Sequence, residues 1–527
     1  MSLLLVASLA ACQSNDTDGE TNTQTETELV TETETEVETE VETETETTVE
    51  TETETETETE TETETTDYAL YEKREGYSFL YNTSASVAQE TVTKNYATRI
   101  SVAADTFVSN LTVACKKTND SSASMEFVLW RWNTDYDTTV AADPVYTCTV
   151  RNDYPAAEAD NHKNIWCTVQ FPALTVGEGE WLFELRDGTS NVRINLVTDR
   201  SMSGGNEDVS LEKAYTNGRV NNKVVQSYAT YEKYDLTKTV TSPEAEGYTK
   251  LTEGKAHVII LSGQSNASGQ SLTSFLQGKA SSEAWGRYTG GYDNVQIYHS
   301  VDFGNVSRDF VPVRLGQGSS TAKFGPEVGL ADYLARTYPG ETFYIIKSSF
   351  SGSGLQLHWQ SNQAQYQRFV TDVSAGLQKL RDKGLDPEIF AMCWMQGETD
   401  AMSLAHTQIY ADAEAELLER ISEAFSEDIA EGGFAFLDAT ISEQSNWQYA
   451  AIVNAHKRNY ARGSQNRYVL DTNIVDIDTR DEHTDATKPY ASDPAHYDSD
   501  DMIELGELFG RGIEQVLMNA GYPVEAD

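Results

Sequence analysis

From about Gly247 onward the chain repeats one pattern: a short apolar run, a polar loop, then a stretch with helical spacing. The apolar runs are His257–Leu261, Phe343–Ile346, Ile389–Trp394, Phe434–Leu437 and Tyr468–Leu470. Each is short and almost wholly apolar, as a strand covered on both faces must be. Tyr366–Lys383 places Val370, Val373, Leu377 and Leu380 on one helical face. Gly325-Pro326-Glu327 opens another helix, with proline in the first turn where a missing N–H costs nothing. Asp400–Phe425, Gln444–Arg462 and Asp501–Met518 read as further helices. The alternation predicts an α/β domain over 246–527, with a parallel sheet covered on both faces. Ligands in such folds bind at the carboxyl ends of the strands.

The preceding region, 67–245, has a different rhythm. Glu126–Trp132, Val145–Val150, Trp166–Phe171, Glu180–Leu185 and Val192–Val197 alternate or run apolar for about six residues between turn-forming clusters, the pattern of an all-β sandwich. Trp130, Trp132 and Trp181 are either core residues or exposed platforms for sugar rings. Cys115, Cys148 and Cys167 fall here, and one pair among them is expected in an exported protein, with Cys393 far away. No cysteine or histidine spacing suits a structural metal.

Two amino-terminal segments precede the folded regions. Leu3–Ala10 is apolar but too short to span a bilayer, and reads as a signal-peptide core. It ends Leu9-Ala10-Ala11-Cys12, which resembles the bacterial lipobox, so residues 1–12 are expected to be a lipoprotein signal with Cys12 lipidated. The alternative is plain secretion with Cys12 removed. Residues 13–66 form a linker. Its Thr–Glu repeat has almost no apolar side chains, so it cannot offset its ordering entropy and is expected to be disordered. Residues 20–66 carry 19 Glu and neither Lys nor Arg. The whole chain has a formal net charge of −47, which excludes nucleic-acid binding through a basic surface. A membrane would be met through a lipid anchor only.

Four loops at strand ends carry the polar residues of interest. Ser262-Gly-Gln-Ser-Asn-Ala-Ser-Gly269 follows the first strand and puts Ser265 at its mouth. Lys347-Ser-Ser-Phe-Ser-Gly352 follows the second, and Gly352 can offer a bare N–H to an oxyanion. Met395-Gln-Gly-Glu-Thr-Asp400 follows the third, with Gln396 and Glu398. Asp493-Pro-Ala-His496 precedes the last helix, and an aspartate three residues ahead can fix the tautomer of His496. Singly, each is also an ordinary capping serine, flexible loop, loop anchor or surface turn.

In this order the four resemble the SGNH (GDSL-like) hydrolase superfamily. Gly-Gln-Ser-Asn266, Gly-Pro-Glu327, Trp394-Met-Gln-Gly-Glu398 and Asp493-x-x-His496 are similar to the sialate O-acetylesterase and carbohydrate esterase family 6 (acetylxylan esterase) group, over roughly residues 255–518. The resemblance implies a three-layer flavodoxin-like domain, Ser265 as nucleophile and His496 as base. It implies an oxyanion hole from the N–H of Ser265, that of Gly352 and the side chain of Gln396. Asp493 is favoured as the third triad member, with Glu398 as the other candidate. The second block departs from the family's usual Gly-Gly-Thr-Ser, since it reads Ser351-Gly-Ser-Gly354. Ala267 breaks the Gly-x-Ser-x-Gly pattern and the Asp lies beside the His, both against an α/β-hydrolase lipase. The implied activity is removal of O-acetyl groups from carbohydrates outside the cell, at the bacterial envelope, by a serine esterase that needs no cofactor. Lys347 and Arg314 are candidates for pairing with a sugar carboxylate. The rival is a surface glycan-binding protein with an inactive esterase domain.

Overall fold

The computed structural model describes residues 66–118, 123–152, 165–240, 248–443, 447–463, 465–472 and 495–522. Leu3–Ala10, Cys12, the Thr–Glu repeat up to residue 65 and Asp493 lie outside them.

Between Tyr71 and Thr239 the described strands pair antiparallel, in two sheets. One runs in the order Tyr71–Phe79, Ser227–Thr239, Thr106–Lys117, Val192–Thr198 and Lys223–Val225, with Val87–Thr91 and Ile165–Gln170 also paired to it. The other runs Arg219–Asn221, Val209–Thr216, Tyr96–Val102, Gly179–Arg186, Ala123–Arg131 and Tyr146–Asn152. Leu111, Val113, Val169 and Ile194 of the first meet Ile100, Phe127, Leu129 and Phe183 of the second in one buried cluster, as expected of a sandwich. Of the tryptophans singled out above, two are buried and Trp132 is half-buried. Trp130 and Trp181 are 2% and 4% exposed, and the Arg99 guanidinium lies 4.3 Å over the Trp132 ring. The Sγ atoms of Cys115 and Cys167 are 3.0 Å apart, whereas Cys393 is buried in a different core.

In the α/β region six strands run parallel: β1 (Ala256–Gly263), β2 (Tyr292–Val301), β3 (Phe343–Ser349), β4 (Pro387–Met395), β5 (Ala435–Ala439) and β6 (Arg467–Leu470). Their order is β2-β3-β1-β4-β5-β6. The sheet is mixed rather than purely parallel, because Asn305–Val306 and Val311–Val313 pair antiparallel with edge strand β2. Strand β2 escapes a search for apolar runs, since Asp293, Asn294, Gln296, His299 and Ser300 interrupt it. The principal helices are α1 (Ser265–Ser268), α2 (Glu327–Thr337), α3 (Ala364–Asp382), α4 (Tyr410–Ala424), α5 (Ala450–Arg462) and α6 (Ser499–Asn519). The single helix expected over Asp400–Phe425 is broken into a 3-10 turn, Leu404–Gln408 and α4. Among the described residues no helix is long and apolar enough to cross a membrane.

Helix α5 joins the two regions. Arg458 and Arg462 each place a nitrogen 2.8 Å from the Glu75 carboxylate, and Asn459 exchanges two hydrogen bonds with the Glu75 backbone. Beside them Trp166 and Tyr228 of the sandwich pack on Tyr449, with ring centroids 5.9 and 6.2 Å away. Removing Glu75 leaves Arg458 largely desolvated with fewer counter-charges, Asp471 in an ion pair and Glu443 further off. Glu75→Ala is expected to cost roughly 2 kcal/mol, less than a fully buried pair because Arg462 reaches solvent. Calorimetry should show a lower Tm, with the sandwich and α/β transitions moving apart.

Candidate active site

Because the sheet's inner strands are parallel and in register, their carboxyl ends form one line. Val301, Ser349, Gly263, Met395 and Ala439 are successive partners across β2, β3, β1, β4 and β5. The loops that follow therefore rise side by side: Asp302-Phe303, Phe350–Gly354, Gln264-Ser265-Asn266 and Gln396-Gly397-Glu398. Gly263 makes this closeness possible. Its φ is +137°, and a Cβ there would lie 2.0 Å from the Met395 carbonyl oxygen. That carbonyl accepts from Gln264 N–H at 2.9 Å, turning the chain sharply into α1. Ser265 is thus the first residue of a short helix just beyond the central strand, and it is 9% exposed.

Asn266 connects this turn to two distant segments. Its Nδ2 donates to Glu398 Oε1 at 2.9 Å and to the Ala495 carbonyl at 3.3 Å, and its Oδ1 accepts from Tyr497 N–H at 3.3 Å. The side chain next to Ser265 therefore grips the residues on either side of His496. Ser271 Oγ adds a bond to the Tyr497 carbonyl at 2.7 Å. Glu398 is fully buried. Burial pushes its carboxyl above the usual range, against the Asn266 hydrogen bond and the charges of Lys457 and His496.

Gln396, expected to donate to the oxyanion, makes its amide bonds within the protein here. Nε2 lies 2.6 Å from Asp400 Oδ2 and 3.0 Å from the Ser353 carbonyl, while Tyr410 Oη donates to Oε1 at 3.1 Å. The side chain is wholly buried and fastens the Gly352 loop to the Gln-Gly-Glu loop. Gly352 itself is exposed with φ +68°. The preceding Ser351 is held by Asp302, whose carboxylate accepts from its N–H at 2.6 Å and its Oγ at 2.9 Å.

Lys347 is likewise not available to a substrate. It is 0% exposed, with Nζ 2.6 Å from Glu327 Oε2, 3.0 Å from the Ser268 carbonyl and 3.2 Å from that of Gln317. Arg314 remains exposed. Among the described residues no group of three or more metal-ligating side chains converges.

Residues 255–515 match the sequence profile of a family described as "Carbohydrate esterase, sialic acid-specific acetylesterase". This protein is a carbohydrate esterase. No curated protein matches the chain. Solved structures that resemble it include a protein from Arabidopsis thaliana (15% identity, 50% of this chain and 98% of that one, TM-score 0.36). A carbohydrate acetylesterase from Xanthomonas citri matches at 12% identity, over 78% of this chain and 72% of that one, with TM-score 0.31. An acetyl xylan esterase from the rumen bacterium Butyrivibrio proteoclasticus matches at 9% identity, over 85% and 100%, with TM-score 0.25.

Beneath the site of this esterase lies a second buried group of ionisable residues. Lys457 bonds Asp438, and its ammonium lies 5.5 Å from the Tyr410 ring centroid. Burial, with the charge of Asp438, pushes the Glu414 carboxyl well above its usual range. Sequence reading overlooked this group, as it overlooked Asn266, Gln264 and Asp302. Only Asn266 and Gln264 carried a signal, as members of the Gly-Gln-Ser-Asn motif.

Two expectations follow from this geometry. Asn266→Ala frees the His496 segment from the Ser265 turn, so kcat should fall about 10- to 100-fold with KM nearly constant. Steady-state kinetics on an acetate ester checks it. Glu414 holds its proton in the fold to a higher pH than in the unfolded chain. The native state then binds more protons, and stability falls as pH climbs above the usual carboxylate range. Glu414→Gln removes that burden, so its Tm should exceed the wild type's at pH 8 and approach it at pH 4.5.

Proposed function

We propose that this carbohydrate esterase removes O-acetyl groups from a glycan outside the cell, through an acetyl-serine formed on Ser265. The observation that carries the reading is the Asn266 clamp, which joins the turn bearing Ser265 to the residues flanking His496. His496 takes the proton as Ser265 Oγ attacks the acetyl carbonyl. The N–H groups of Ser265 and Gly352 receive the oxyanion, and collapse breaks the bond to the sugar oxygen, which takes the proton from His496 to leave as a hydroxyl. Water then attacks the acetyl-serine with the same base, releasing acetate. These steps call on no cofactor.

Asp493 orients His496 in this reading, and Glu398 acts one step away by anchoring Asn266. Gln396 shapes the loop that presents Gly352. In this reading 246–527 is a three-layer flavodoxin-like SGNH domain, 67–245 an accessory sandwich, 13–66 a linker, and 1–12 a lipoprotein signal that leaves Cys12 as the anchor. An acidic surface suits a neutral glycan such as acetylated xylan. With Lys347 committed to Glu327, a carboxylate-bearing sialic acid would have to find Arg314 or another cation.

Acetate release from acetylated xylan and from O-acetylated sialic acid, beside Ser265→Ala, tests the reading. Activity on one substrate is expected, and it should vanish in the variant. Activity retained by Ser265→Ala would sink the acetyl-serine route. Asp493→Asn should lower kcat by about 10³- to 10⁴-fold, as loss of a tautomer-fixing aspartate does. Glu398→Gln, which keeps an acceptor for Asn266, should cost about tenfold. The reverse ranking would transfer the triad role to Glu398.

A further inference from the structure

The ring of Phe303 stands where no packing need places it. It is 54% exposed, whereas Phe310, Phe324, Phe343, Phe350 and Phe369 of the same domain are buried. Its backbone has φ +59° and that of Asp302 +49°, so two consecutive residues with Cβ atoms occupy the left-handed region. For a bulky side chain this is a costly conformation, and such conformations persist mainly where a site requires them. Asp302 supplies the constraint. Its N–H donates to the Ser349 carbonyl at 3.1 Å, and its carboxylate takes both donors of Ser351. The ring of Phe303 lies on that of Phe350, centroids 4.9 Å apart and tilted 35°, and Phe350 is only 2% exposed. A buried ring thus supports an exposed one, two residues from Gly352.

The surroundings agree. Val306, Leu357 and Met402 are also large, apolar and exposed, and they too belong to segments following the carboxyl ends of β2, β3 and β4. Exposed apolar side chains thus occur in the segments that follow three neighbouring strand ends, together with polar residues. A pyranose presents that combination: hydroxyls at its rim and C–H groups across its face.

We propose that Phe303 is the platform on which the sugar ring carrying the acetyl ester stacks, and that it sets specificity for carbohydrate over small acetate esters. This rests on the glycan O-acetylesterase reading above. Phe303 contacts the sugar, not the reacting atoms, so it should contribute to KM and not to kcat.

Phe303→Gly removes the ring while suiting the positive φ, and Phe303→Trp keeps an aromatic face. Both are compared with the wild type in the full chain, on acetylated xylo-oligosaccharide, O-acetylated sialic acid and ethyl acetate. The expected result is a KM about tenfold higher for the sugar ester in Phe303→Gly, at unchanged kcat, with ethyl acetate unaffected and Phe303→Trp close to wild type. An unchanged KM in Phe303→Gly overturns the proposal, as does a fall in kcat on both ester classes, which would mean that the ring only braces the Gly352 loop. Loss of a dimer in Phe303→Gly by gel filtration, with KM unaltered, would assign the ring to a second copy of the chain instead. A wild type that cleaves ethyl acetate but neither sugar ester defeats the underlying function, and is told apart because it appears before any variant is made.

Discussion

An ammonium and a carboxylate with no access to water hold the Ser265 turn in place. Lys347 ends the apolar part of β3, and Glu327 begins α2. Their mutual bond is only part of the arrangement. Lys347 also donates to the carbonyl of Ser268, the last residue of α1, and to that of Gln317, while Glu327 Oε1 accepts from Gly325 N–H. Each charge is thereby given the hydrogen bonds that make its burial tolerable. Three loops far apart in sequence meet at one point. The meeting is close: a Cβ on Gly269 would lie 2.4 Å from Gly325 N. The Gly-Pro-Glu motif therefore supports the Gly-Gln-Ser-Asn motif by contact.

The chemistry then depends on the parallel register. Five strand ends in one row deliver the loops that follow them to one end of the sheet. Side chains then lock the loops to one another. Gln264 Oε1 accepts from Thr399 N–H at 3.2 Å, Asn266 reaches Glu398 and the His496 segment, and Asp400 Oδ2 accepts from Leu355 N–H at 3.0 Å. Nearly every polar residue of the quoted motifs proves to be a bond between loops, which leaves Ser265 and Gly352 in positions to meet a ligand.

This division explains what could be read beforehand. The positions of Ser265, Gly352, Gln396 and Glu398 at strand ends were legible, because an apolar run followed by glycine and polar residues is a local signal. Roles were less so. Gln396 has the chemistry of an oxyanion donor, but its partners Ser353, Asp400 and Tyr410 are known only from the fold. The Asn266–Glu398 bond spans 132 residues. Lys347 was a candidate for a sugar carboxylate because sequence does not show that it meets Glu327 across the interior. Strand β2 was hidden by its own polar residues, and with it went Asp302 and Phe303, which follow it directly. The tryptophans of the sandwich were open to two readings, since a core indole and a sugar platform have the same composition and differ only in what lies over the ring.

The sandwich itself reaches the catalytic loops. Trp166 Nε1 donates to Gln448 Oε1 at 2.8 Å, and the same amide donates to the Met402 carbonyl at 3.0 Å. Tyr449 N–H adds a bond to the Ala401 carbonyl at 3.0 Å, from a ring packed between Trp166 and Tyr228. Ala401 and Met402 follow immediately on Asp400, which fixes Gln396. A continuous path of hydrogen bonds and stacked rings thus runs from the sandwich face to the loop that fastens Gly352. A loop's position is set by the rigidity of what it leans on, and this loop leans on the sandwich. Its buried indoles and its Glu75 clamp on α5 are what such support needs, and a freely tethered sugar-binding module would need neither.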